Sequence, residues 1–218
     1  MASIRIPIVT AFYQEYLNDQ DSAAFIKKVC RHYLPATLER LVEHPVATVR
    51  RAAVLALGFV GSYESNATLG RAMTDKDARV RRLAQSGIRR LWCRDGDDRL
   101  RQRLAAIVHL NTSRQYAEAV KSATSLIEYA PWLAEAWNQR AQGYYGMGRM
   151  ADSIRDCRQA LEINPYHFEA ATGMGQCSLH LGDSRAALEC LRRALRLNPE
   201  LEGVRAGIET LERTLRQT

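Results

Sequence analysis

The sequence predicts an all-α protein, an α–α superhelix of stacked helical hairpins, and three observations predict it. Pro131, Pro165 and Pro199 stand 34 residues apart, the spacing of two helices and their turns. A second period lies upstream, where HPVATVRRAAVLALGFVG (44–61) aligns without gaps on DKDARVRRLAQSGIRRLW (75–92) at an offset of 31. Alternation of apolar and polar residues, the mark of a half-buried strand, is hard to find in any of the 218 residues. Hydrophobic residues at 46% and charged residues at 25% are ordinary for a chain that buries a core. Thirteen glycines and six prolines are too few for a collagen-like or disordered one.

Taken in chain order, residues 1–34 read as a helical capping segment, with DSAAFIKKVCRHY (21–33) as its amphipathic helix. Residues 35–97 hold the two 31-residue units. Val49-Arg50-Arg51 matches Val80-Arg81-Arg82, Ala53 matches Ala84, and Leu57 matches Ile88. A short helix is expected before each, in ATLERLVEH (36–44) and ESNATLGRAMT (64–74), and a longer helix through 77–94. A joint is expected near Arg94–Asp98. The 34-residue units then run at about 100–133, 134–167 and 168–201. Their alignment puts Ala119, Ser153 and Ala187 in one column, Leu126, Ala160 and Ala194 in another, and Gly148 with Gly182 in a third. Ile154, Cys157, Ala160 and Leu161 show the apolar spacing of a helix, and each unit closes at a proline, which lacks the N–H that would continue it. One such hairpin cannot cover its own apolar face, so neighbours must stack. Residues 202–218 read as a capping helix rich in Glu and Arg.

The 34-residue units resemble the tetratricopeptide repeat. The middle unit carries Trp137, Tyr144, Ala160 and Pro165 at the family's offsets, with Arg140, Ala141 and Cys157 as departures. The third keeps Gly175, Ala187, Leu191, Ala194 and Pro199 but has Ala171 in the tryptophan column. The first diverges most, with Arg103 in the tryptophan column and Arg114 in the glycine column, and is identified by Tyr116, Ala119 and Pro131. The upstream units are similar to short HEAT-type repeats, in which a Val-Arg pair begins the inner helix. Two units are fewer than such a stack needs. The missing layers are expected from 21–33 and from the first tetratricopeptide helix, making one continuous right-handed solenoid. The whole chain resembles small bacterial proteins that fuse the two repeat types.

The resemblance implies a peptide-binding groove lined by the first helix of each unit. By column its residues are Arg101, Leu104, Val108 and Asn111, then Glu135, Asn138, Gln142 and Tyr145, then Glu169, Thr172, Gln176 and Leu179. Helical arithmetic agrees for the second set, whose i, i+3, i+7, i+10 spacing shares one face. Asn and Gln amides each offer a donor and an acceptor to an extended backbone; the same residues also suit a merely solvated face. Family members that clamp a chaperone's C-terminal carboxylate place Lys and Asn in the first unit and Lys and Arg in the third. Here those columns hold Leu104, Val108, Glu169 and Gly173, and no clamp is expected. The expected function is a non-enzymatic scaffold that holds a protein partner, as a peptide or a helix.

An alternative rests on charge. The net charge is +7, and residues 1–99 carry 16 Lys and Arg against 11 Asp and Glu. Arg79, Arg82, Arg89 and Arg90 fall on one side of the expected 77–94 helix, a face that could neutralise the phosphates of a nucleic acid or other polyanion. It equally fits a solvated surface balanced by Asp75, Asp77 and Asp95. Arg50 and Arg81 sit at the edge of the apolar face, where arginine forks fix the stacking of units.

Catalytic patterns are missing. Gly146-Met147-Gly148 and Gly173-Met174-Gly175 follow no strand and precede no Lys-Ser/Thr, so neither is a phosphate loop. The five histidines are dispersed, and Cys177 with His180 makes two ligands where a zinc site needs three or four. No metal or cofactor is expected. Similar HEAT-like repeats occur in bilin-chromophore lyases, a second alternative to which no residue here points. The five cysteines are scattered and form no CxxC pair, which reads as reduced thiols. The first twenty residues lack a secretory signal's basic region and apolar run, and no stretch is long enough to span a bilayer. A cytoplasmic protein is expected.

Overall fold

The computed structural model describes residues 6–216. It divides into two compact units, Met1–Leu91 and Trp92–Thr218, a little before the expected joint. Among the described residues it is helical, with no strand.

The first unit begins with α1 (Val9–Asp19) and α2 (Ser22–His32). Asp21 starts α2 by accepting the Ala24 N–H at 2.9 Å, satisfying one of the orphan donors of the first turn. The short α3 (Pro35–Leu41) opens on a proline, whose missing N–H is no loss at that position. Next comes α4 (Ala47–Val60), buried at almost every position from Val49 to Gly58, against which α1, α2 and α3 pack. A 3-10 turn at Tyr63–Ser65 leads to α5 (Asn66–Ala72), which also packs on α4, and α6 (Ala78–Arg94) follows. Each short helix expected ahead of a long one is present. The crossing of α4 and α6 is set by two glycines: a Cβ at Gly58 would stand 2.9 Å from the Gly87 Cα.

The repeated Val-Arg-Arg segments do different work. Arg50 is 4% exposed and grips Asp75 with two bonds of 2.8 Å, while donating to the His44 and Pro45 carbonyls. It therefore ties α4 to the turn before α6. Arg81 donates to the Asp75 carbonyl at 2.9 Å. Arg51 pairs with Asp77 at 2.5 Å.

The second unit is a run of antiparallel hairpins. α7 (Asp98–Thr112) packs on α8 (Tyr116–Tyr129), α9 (Ala134–Gly146) on α10 (Met150–Ile163), and α11 (Phe168–His180) on α12 (Ser184–Leu197). The capping helix α13 (Glu202–Leu215) closes against α12. The first helices lie side by side, α7 against α9 and α9 against α11. Their hydrophobic cores centre on Leu104, Ile107, Ala119, Leu126 and Leu133, then on Ala141, Cys157, Ala160, Ala171 and Ala194. Alanine-rich crossings bring the helices close. Gly175 is closer still, because a Cβ there would meet Leu191 at 2.5 Å.

Departures from the repeat pattern have local explanations. Arg140 replaces an apolar residue but forks onto Asp156 of α10 at 2.6 and 2.9 Å and donates to Thr124 of α8 at 3.1 Å. Cys157 replaces an aromatic ring, and its sulfur would lie only 3.2 Å from a Cβ at Gly173. Arg114, in the glycine column, takes the left-handed backbone of its equivalents: φ is 59° there, against 75° at Gly148 and 78° at Gly182.

Candidate functional site

The candidate groove is the face shared by α9 and α11, and its two ends differ. At the N-terminal end the polar residues are buried and bonded to one another. Glu135 is 4% exposed and Asn138 2%. The Glu135 carboxylate accepts from Gln139 Nε2 at 2.7 Å and from Asn138 Nδ2 at 3.3 Å, and its other oxygen lies 2.9 Å from His167 Nε2. His167 Nδ1 accepts the Ala170 N–H at 3.2 Å and so caps α11. With Nδ1 an acceptor, the proton belongs on Nε2, and the imidazole donates to Glu135. Burial pushes the Glu135 carboxyl up, but the bonds from His167, Gln139 and Asn138 outweigh it and hold its pKa below the ordinary value.

Chain from just before α7 covers this end. Trp92 is 2% exposed and stacks on His167, ring centroids 4.1 Å apart at 15°, with Phe168 5.4 Å away. Cys93 follows Trp92 in the chain. Desolvation first, then the charges of Glu135 and Glu169, raise its thiol to about 11. The expectation that Glu135 and Asn138 present free polar groups is therefore corrected: helical spacing put them on the right face, but Trp92 and the Glu135–His167 network close it. Leu104, expected in the groove, is 1% exposed and belongs to the core. Asn111 donates to the Gln139 carbonyl and side chain at 2.9 Å each. Arg101 pairs with Asp98 at 2.6 Å, while Glu169, Thr172 and Val108 are half-buried.

At the C-terminal end the wall is open. Gln142, Tyr145, Gln176 and Leu179 are all exposed, two from each of two neighbouring helices. Tyr145 Oη lies 2.9 Å from His180 Nε2, with the rings edge to face at 5.4 Å, which places α9 and α11 side by side at this level. Met147 and Leu181, in the turns that follow, are 43% and 57% exposed. Sequence reasoning missed Trp92, His167 and the Met147/Leu181 rim. The last carried a signal in its shared column.

A family model described as tetratricopeptide repeat matches residues 132–200, and one described as HEAT repeats matches 34–125. The chain carries HEAT repeats and tetratricopeptide repeats. Its first hairpin falls mostly within the HEAT match, in keeping with the divergence of that unit. The Hsp70-Hsp90 organizing protein 1 of Glycine max is 28% identical over 107 residues, 47% of this chain and 19% of that protein. A TPR repeat-containing protein of Rhizobium etli is 34% identical over 73 residues, 34% of this chain and 36% of its own. The chain thus spans a minor part of these relatives. Among solved structures, the Sgt2 TPR domain from Aspergillus fumigatus has a TM-score of 0.52 at 17% identity, covering 56% of this chain and 82% of that one. The first TPR domain of human RPAP3 has a TM-score of 0.50 at 19% identity, covering 53% and 91%. These likenesses show the fold.

Beyond the tetratricopeptide units, Arg79, Arg82, Arg89 and Arg90 of the HEAT-like helix α6 are all exposed, as the charged face requires. The Arg90 guanidinium sits 4.5 Å from the centre of the Phe59 ring. A concavity of about 410 Å³ is lined by His44, Arg50, Thr68, Arg71, Asp75 and neighbours, but its central Arg50 is spent on Asp75 and two carbonyls. Cys177 and His180 point to different partners, Ser153 at 3.3 Å and Tyr145. Among the described residues no cluster of three or more His, Cys, Asp or Glu could hold a metal, and no helix is long and apolar enough to cross a membrane.

Proposed function

We propose that this protein is a non-enzymatic adaptor that holds a segment of a partner protein against the inner wall formed by α9 and α11. The observation that carries the proposal is the open row Gln142, Tyr145, Gln176 and Leu179. Such a row has two amides able to bond an extended backbone and two apolar side chains able to seat its residues. The relatives support an adaptor, since one is named as an organizer of Hsp70 and Hsp90. That partnership is not carried over, because Leu104, Val108, Glu169 and Gly173 stand where a carboxylate clamp needs cations. Cytoplasmic residence belongs to the same reading.

The test is affinity purification with the unmutated chain and with a Gln142→Ala/Gln176→Ala/Tyr145→Ala variant. These side chains are exposed, so the variant should keep its helical circular dichroism while losing its partner. Equal recovery from both chains would reject groove binding. Asn138→Ala, which the sequence alone recommends, would report on stability instead, because Asn138 is buried.

A further inference from the structure

We infer that the open half of the inner wall selects an uncharged segment with apolar side chains, an inference that rests on the adaptor reading and names its partner's chemistry. Two features of the wall point the same way. The first is charge. At the ninth and twelfth positions of the two units the residues are Gln142, Tyr145, Gln176 and Leu179, none of them ionised. Of the ionisable residues at the second position, Glu135 is buried under its hydrogen bonds and Glu169 is half-buried. A charged side chain entering here would shed water against four uncharged side chains, with the His180 imidazole already engaged by Tyr145, an unfavourable exchange.

The second feature is the apolar rim. Tyr145, Met147, Leu179 and Leu181 are 36%, 43%, 42% and 57% exposed, and they come from matching positions of consecutive units. Four large side chains repeated at matching positions of neighbouring units are more than single scattered exposures. The two units therefore offer matching pairs, an amide below and an apolar side chain above. Gln142 and Gln176 make no side-chain hydrogen bond within the described residues, so their amides are available to a partner's backbone. The occupant that complements this wall is a short extended peptide of neutral composition, bonded through its main chain and seated through alternate apolar residues. Neither a terminal carboxylate nor an acidic stretch has a counterpart here.

The experiment is selection from a random peptide library displayed internally, so that no free terminus is offered, against the full-length chain. Selected sequences are then synthesised with blocked ends and titrated by fluorescence anisotropy. The inference expects uncharged peptides with alternating apolar residues, whose affinity changes less than about two-fold between 50 and 500 mM NaCl, because no ion pair is there to be screened. Gln142→Ala/Gln176→Ala should weaken them about ten-fold, the loss expected for two hydrogen bonds. Leu179→Ser should weaken them too. Peptides that depend on these residues but are acidic, or bind only with a free carboxylate, would overturn the inference and leave the adaptor reading standing. Binding indifferent to all three substitutions would overturn both.

Discussion

At the scale of single residues, two positions carry more than their neighbours. Arg114 holds a left-handed backbone, φ 59°, where the two later units use glycine. An L side chain in that conformation costs about 1 kcal/mol. Arg114→Gly should therefore raise stability by about 1 kcal/mol less the extra entropy of the unfolded glycine. A shift of the urea midpoint upward would show it, and a downward shift would mean that the arginine side chain matters more than its backbone. Glu135 is the opposite case. Its carboxylate accepts from His167, Gln139 and Asn138 inside the protein, so Glu135→Ala strands three buried donors and should cost about 3 kcal/mol. By contrast Arg101→Ala breaks an exposed i,i+3 pair and should cost less than about 0.5 kcal/mol.

At the scale of elements, glycine contacts decide how closely helices approach. Gly58 and Gly87 put the backbones of α4 and α6 in direct contact. Gly58→Ala would place a methyl group 2.9 Å from a backbone carbon that cannot rotate away, and a loss of about 2 kcal/mol follows from forcing packed helices apart. Thermal unfolding measures it. Gly148→Ala, with nothing within 4 Å of its Cβ, should suffer only from its positive φ. The elements themselves were legible in the sequence because proline and apolar spacing mark them locally. Thus α6, expected over 77–94, is Ala78–Arg94, and the short helices before α4 and α6 are present. The burial of Asn138 was not legible. Helical arithmetic places a residue on a face but cannot say what lies against it, and here that depends on Trp92 stacking on a distant histidine.

At the scale of the whole molecule, both units use carboxylates held ionised by their partners. Burial pushes Asp75 up, but Arg50 and the Asp77 N–H outweigh it; Arg51 holds Asp77 below its ordinary value, and three donors hold Glu135 there. A carboxyl with a lowered folded pKa adds stability above the unfolded value of about 4, and that stability is lost as pH falls through the folded value. The urea midpoint should accordingly hold from pH 7 down to about 4 and fall as the pH is lowered further. An unchanged midpoint would mean that these pairs contribute little. The candidate groove was half legible at this scale: the columns of the repeat pick out four residues that are exposed, whereas the closed end depends on Trp92, which belongs to the other repeat type and lies far from His167 in sequence.

The placement of the thiols has a practical outcome. Cys30 and Cys93 are exposed, whereas Cys157 and Cys177 are buried, the former with its thiol pushed up to about 12 chiefly by desolvation. Alkylating reagents attack only the thiolate, so the two inner sulfurs become reactive only when α10 and α11 part. Their rate of modification is thus a clock built into the second and third hairpins, one that should slow whenever a bound partner holds α10 and α11 together.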